Sequence, residues 1–110
     1  MSVKKVVESA LNKGVRVLIF WAEGCPYSES ARDYGGVLRR KGIKVMLRKV
    51  GNISTERSKL DDVAFMINEV LGSKQTNITW PQVLYRDKVG RTPFRRLEGG
   101  SDALLKKNFV

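Results

Sequence analysis

Val17-Leu18-Ile19-Phe20-Trp21-Ala22-Glu23-Gly24-Cys25-Pro26-Tyr27-Ser28 changes character midway. Its first half, continued from Val15, is a short apolar run of the kind that forms a strand covered on both faces. Glu23-Gly24 breaks the run. Pro26 then suits the first position of a helix, where its missing N–H goes unneeded. The only cysteine of the chain, Cys25, therefore lies where a buried strand gives way to a helix. Unpaired N–H groups and a partial positive charge at a helix start stabilise a thiolate, and the thiolate is the nucleophile of disulfide exchange. Free cysteines are also commonly buried and inert. Gly24 and Pro26 put this one in a turn rather than inside an apolar stripe, which favours the reactive role.

On either side of this stretch the pattern alternates between helix and strand. Val3, Val6, Val7, Ala10 and Leu11 recur at helical spacing before Gly14, a residue that commonly ends helices. Tyr27, Ala31, Tyr34 and Leu38 mark one face of a second helix that stops at Gly42; the pair Gly35-Gly36 weakens it unless close packing requires them. Ile43 to Val50 reads as a strand and Gly51 to Thr55 as a loop. Ser58 is the expected cap of a third helix, with Asp61 and Asp62 near its positive end. That helix carries the stripe Leu60, Val63, Ala64, Ile67, Val70 and Leu71, expected to face the core. Gln82 to Arg86 and Thr92 to Leu97 read as strands joined around Asp87-Lys88-Val89-Gly90, a connection short enough for an antiparallel hairpin. Gly99-Gly100-Ser101-Asp102 opens a last helix containing Leu104 and Leu105. The order α-β-α-β-α-β-β-α predicts one α/β domain over residues 1–110: a βαβ half with parallel strands followed by a ββα half.

Composition narrows the function classes. The chain has 110 residues, 42% hydrophobic and 29% charged, which is enough for a packed core without disulfides. It has no histidine, the usual general base and commonest metal ligand, so a zinc site made by this chain alone is not expected. Its 21 Lys and Arg against 11 Asp and Glu give a formal charge of +10, a surface that attracts acidic proteins and other anions. The basic residues fall in short pairs such as Arg39-Arg40 and Arg95-Arg96 with little aromatic interleaving, so specific nucleic-acid binding is not expected. No apolar run approaches the roughly 20 residues of a spanning helix, and Met1 to Glu8 has no apolar signal segment. A lone thiol fits a reducing compartment, so a cytoplasmic location is expected.

The segment from Val17 to Ser28 resembles the first strand and active-site turn of glutaredoxins, and Phe20-Trp21-Ala22 is similar to the equivalent phrase in thioredoxins. Thr79-Trp80-Pro81 resembles the Thr-Val-Pro segment whose proline is cis throughout that superfamily. Gly99-Gly100-Ser101-Asp102 resembles the Gly-Gly-x-Asp turn before the last helix. The likeness spans about residues 15 to 107. From Asp61 to Leu105 it is nearest to phage glutaredoxins. It implies a thioredoxin fold, a four-stranded mixed sheet flanked by helices, with an extra N-terminal helix. It also implies a glutathione-dependent thiol–disulfide oxidoreductase. In that reading Cys25 is the nucleophile, Pro26 and Tyr27 shape the site, and Thr79, Trp80 and Pro81 present an open strand edge to glutathione. Gly100 and the N–H groups of Ser101 and Asp102 receive the γ-glutamyl carboxylate, and the Asp102 carboxylate meets its ammonium group.

Three departures refine those implications. Ser28 stands where dithiol glutaredoxins have a second cysteine, so only a monothiol route is open; apart from that, its hydroxyl suits a helix start. Ala22 stands where the family usually has a lysine that meets a glutathione carboxylate, leaving Arg57 or Lys59 as substitutes. The segment from Arg86 to Glu98 is longer than the family's, and its extra cations Arg91, Arg95 and Arg96 are candidates for a partner surface. The resemblance implies a monomer acting on acidic protein substrates, ribonucleotide reductase among them. It leaves two alternatives: a carrier sharing a [2Fe–2S] cluster between protomers through Cys25 and glutathione, and a redox-inactive basic binding module.

Overall fold

The computed structural model describes residues 1–88 and 92–109. Its elements are α1 (Val3–Asn12), β1 (Val17–Glu23), α2 (Pro26–Arg40), β2 (Val45–Asn52), α3 (Arg57–Leu71), β3 (Gln82–Tyr85), β4 (Arg95–Arg96) and α4 (Gly100–Lys106). They build a four-stranded sheet in the order β2-β1-β3-β4, with β1 parallel to β2 and antiparallel to β3, and β3 antiparallel to β4. This is the α/β architecture of the thioredoxin fold with an additional N-terminal helix.

The continuous apolar run of β1 follows from its central place. Successive side chains point to opposite faces of a strand, and both faces are covered. Leu18, Phe20 and Ala22 pack with Val3, Val7 and Ala10 of α1 and Leu60, Val63 and Ile67 of α3. Val17 and Ile19 pack with Ala31 and Leu38 of α2 and Leu104 of α4. Gly35 explains one half of the glycine pair. A Cβ there would lie 2.9 Å from Leu47 Cδ2 and 3.4 Å from both Ile19 and Val45, so α2 rides close on the sheet. Gly36 meets only the flexible tip of Arg40, at 3.7 Å. Gly36→Ala is therefore expected to stabilise the protein by about 0.5–1 kcal/mol through helix propensity, whereas Gly35→Leu overpacks the interface and costs about 1–3 kcal/mol. Urea midpoints measured for the two variants check this; shifts of the same sign would contradict it.

Several boundaries and faces differ from the sequence expectations. The first two strands begin and end later than expected, at Val17–Glu23 and Val45–Asn52, and of the stretch from Thr92 to Leu97 only Arg95–Arg96 is strand. Ser58 does not cap α3. The cap residue is Glu56, without a side-chain capping bond, and Asp61 and Asp62 lie beyond the first turn. The reason lies upstream: Asn52 Oδ1 accepts from Ser54 N and Thr55 N, and Glu56 Oε1 accepts from Asn52 N, which curls the chain into the helix early. Tyr27 and Val70, both placed on apolar faces by spacing, are exposed at 65% and 37%, and Leu105 of the last helix at 47%. Val89 and Gly90 of the expected hairpin connection, and the expected partner-surface cation Arg91, lie outside the described residues.

Candidate active site

The parallel pairing of β1 with β2 and the antiparallel pairing of β1 with β3 bring three chain segments to one end of the sheet. Cys25 follows the carboxyl end of β1. Phe20 pairs with Gln82 at the start of β3, so the preceding Trp80-Pro81 lies alongside the last residues of β1. Glycines at Gly99 and Gly100, both with positive φ (97° and 57°), turn the chain into α4 beside the same place. A Cβ at Gly100 would lie 3.5 Å from Pro81 Cδ, which shows how closely the α4 turn seats against the proline.

Gly24, with φ of 82°, makes the bend from β1 to α2, and its N–H donates to Glu29 Oε2 at 3.0 Å. Cys25 is the extended cap residue of α2 (φ −103°, ψ 112°), and its carbonyl accepts from Glu29 N at 2.9 Å. The thiol makes no capping bond to the helix, so the sulfur is not tied up by the backbone it adjoins. Cys25 is half-buried and its Sγ lies 3.9 Å from the carbonyl oxygen of Trp80, across the cis Trp80–Pro81 peptide. Beside it, Tyr27, Thr79, Trp80, Pro81, Gly99, Gly100, Ser101 and Asp102 line a cavity of about 310 Å³. Residues separated by more than fifty positions in the chain thus meet in one concave surface next to one sulfur.

Ser28 behaves differently. It is fully buried, lines no part of that cavity, and its Oγ has no hydrogen-bond partner among the described residues. The expected helix-start role for this hydroxyl is therefore wrong: the helix begins two residues earlier, and Ser28 turns inward. Ala22 is likewise fully buried within the α1/α3 core. Of the two cations expected to substitute for a lysine there, Lys59 is paired with Glu56 at 3.5 Å, while Arg57 is exposed at the first position of α3. The start of that helix is tied to the site, because Ile53 N donates to Glu23 O. Glu23 itself is paired with Lys49; the hydrogen bond and positive charge of Lys49 hold its carboxyl below the ordinary value.

A polar network behind the site was not anticipated. Arg96 donates to Gln82 Oε1 (3.0 Å), Ser73 Oγ (3.0 Å) and Asn68 Oδ1 (2.7 Å). Gln82 Nε2 donates to Thr79 O (2.7 Å) and Gln75 Oε1 (2.6 Å), and Asn68 Nδ2 donates to Gln75 O (3.1 Å). These bonds fasten the segment before Trp80-Pro81 to α3 and β4. Arg96 therefore bonds within the molecule, although its place in the long Arg86–Glu98 segment suggested a partner surface; burial lowers its guanidinium from the usual value, with the charge of Glu98 opposing. Arg95 is also engaged internally, with Asp87 at 3.2 Å and over the ring of Tyr85. The one sequence signal of this network is Gln82, a long amide opening an otherwise apolar strand.

The chain supplies one thiolate to any metal. Among the described residues no group of three or more His, Cys, Asp or Glu side chains is placed to hold an ion. A [2Fe–2S] cluster takes four ligands, so the residues present do not form such a site within one chain. No helix among the described residues is long and apolar enough to cross a membrane. Neither protein-family models nor curated proteins give a match to this chain.

Proposed function

We propose that this protein is a glutaredoxin-like, glutathione-dependent thiol–disulfide oxidoreductase that works through Cys25 alone. The observation that carries the reading is the half-exposed Cys25 sulfur 3.9 Å from the Trp80 carbonyl, at the edge of the cavity formed by the Trp80-Pro81 and Gly99–Asp102 turns. An extended peptide-like ligand fits such a place, because the Trp80 backbone offers a strand edge. Thr79 and Tyr27 wall the cavity, and Pro81 holds the edge open towards the sulfur. The Ser101 and Asp102 N–H groups face the γ-glutamyl carboxylate, and the Asp102 carboxylate, exposed in the first turn of α4, pairs with the ammonium group. Arg57, exposed at the first position of α3, is the cation proposed to meet the glycyl carboxylate.

The reaction proceeds in two exchanges. The Cys25 thiolate attacks the glutathionyl sulfur of a protein–glutathione mixed disulfide. A Cys25–glutathione disulfide forms, and the substrate thiolate leaves and takes a proton from water. A second glutathione thiolate then attacks the glutathionyl sulfur, regenerating the Cys25 thiolate and releasing glutathione disulfide. The strongly basic surface favours acidic protein substrates in a reducing, cytoplasmic setting, and a reductase such as ribonucleotide reductase is an acceptor of this class.

Mass spectrometry after incubation with glutathione disulfide tests the proposal. One glutathione is expected on wild-type protein and none on Cys25→Ser. Wild-type protein that takes up no glutathione and has no glutathione-dependent reductase activity would overturn it. Asp102→Ala is expected to raise KM for a glutathionylated substrate about threefold to tenfold with kcat nearly unchanged, since the ion pair is present in ground and transition states alike. An unchanged KM would remove Asp102 from the binding surface.

A further inference from the structure

The basic residues at the opposite end of the sheet form a second concave surface. β2 is an edge strand. Along it runs a cavity of about 420 Å³ whose lining includes Lys13, Arg39, Lys44 and Arg48 together with Val45 and Leu47. Among the described residues no acidic and no aromatic side chain lines it. Strand alternation separates its cations. Met46 packs into the α1/α3 core and Val45 and Leu47 pack with the α2/α4 core, so Lys44 and Arg48 stand on the former side of the sheet. Arg39, from α2, closes the other side: its Nε and Nη2 donate to Val45 O at 3.2 and 2.9 Å. Lys44 Nζ is held by Lys13 O at 2.7 Å, so two of the cations are already positioned. With the Val45 carbonyl capped, strand pairing on this edge starts at Leu47, which presents its backbone outward in the same register as Val45.

We propose that this edge docks an extended acidic segment of a partner protein, which adds a strand beside β2 from Leu47 onward, with carboxylates facing Arg48 and, beyond the paired stretch, Lys44. Four cations without a counter-charge in the lining supply the attraction, and the edge backbone supplies the register. A nucleic acid is the less suitable occupant, because no ring is present on which a base could stack. The surface flanks the Val17–Phe20 part of β1, about 16–26 Å from Cys25 along the strand, so binding here is measured without the thiol chemistry.

Fluorescence anisotropy with a labelled peptide of alternating glutamate and valine provides the test. Binding at low salt is expected, with affinity falling about tenfold in the double variant Lys44→Ala/Arg48→Ala, whose side chains are both exposed. The same peptide N-methylated on alternate backbone nitrogens is expected to lose affinity to a similar degree, because its strand edge is blocked. Absence of binding by wild-type protein would overturn the proposal. So would binding indifferent to the double variant or to N-methylation. A single-stranded oligonucleotide of equal charge that binds as tightly through the same two residues would show a general polyanion surface instead, and would also overturn it.

Discussion

Arg86→Met is expected to destabilise the protein by about 3 kcal/mol, a large part of the 5–15 kcal/mol that holds a domain of this kind together. Arg86 is completely buried just after β3. Its guanidinium donates to Val15 O (2.7 Å), Thr92 O (3.3 Å) and Leu11 O (3.4 Å), and it lies over the Phe94 ring at 5.1 Å. It thereby fastens the end of α1, the turn into β1 and the segment before β4. Leu11 is in the last turn of α1, where its carbonyl also accepts from Gly14 N at 3.2 Å and a cation is favourable. Burial depresses the guanidinium from its ordinary value, but an arginine stays charged at neutral pH. Methionine fills similar volume and leaves the Val15 and Thr92 carbonyls without this donor, while Leu11 O keeps Gly14 N. Each buried group so orphaned costs about 1–3 kcal/mol, partly offset because a charge no longer has to be desolvated. Arg86→Lys keeps the charge but loses the planar fork, so an intermediate loss is expected. Urea denaturation of the two variants, with unchanged m-values, measures both. A midpoint for Arg86→Met within error of wild type would show that the fork contributes nothing net.

Ser28→Cys is expected to abolish accumulation of the glutathione adduct on Cys25. In wild-type protein the mixed disulfide persists until a second glutathione arrives, because a hydroxyl cannot displace a thiolate. In the variant the introduced thiol attacks Cys25 Sγ, expels glutathione as its thiolate and leaves an internal disulfide. Position three residues along a helix start suits that bond, since such Cα atoms lie within the roughly 4.4–6.8 Å that a disulfide spans. The environment suits it too. Ser28 is fully buried with an unpartnered Oγ, an arrangement costing about 1–3 kcal/mol, whereas a thiol is a small hydrophobe that loses little there. Ser28→Ala serves as the companion: it is expected to fold at least as stably as wild type and to keep the adduct. Mass spectrometry with and without a reductant reads both outcomes. A persistent adduct in Ser28→Cys would show that the buried position cannot reach the sulfur.

Much of the architecture was legible in the chain because it depends on near neighbours. The apolar run from Val17, the helical stripes of α1 and α3, the stops at Gly14 and Gly42 and the turn at Gly99-Gly100 are set by backbone preferences and periodicity over a few residues. So was the position of Cys25 at the head of α2, and the order of elements that determines which strands are parallel. From these, and from the resemblance of three short motifs, the lining of the cavity was named in advance apart from Gly99.

Burial of polar groups was decided only by the tertiary structure. Arg86 reads as one more cation in a basic segment, and it is buried because Val15, 71 positions earlier, offers it a carbonyl. Arg96 likewise joins a network with Asn68, 28 positions away. Tyr27 and Val70 have the spacing of core residues, yet no element among the described residues covers them. Ser28 has the look of a capping residue and ends in the interior. Local sequence determines which conformations a segment prefers; whether a side chain meets water or a partner depends on segments brought together by the sheet, and no window of a few residues contains that information.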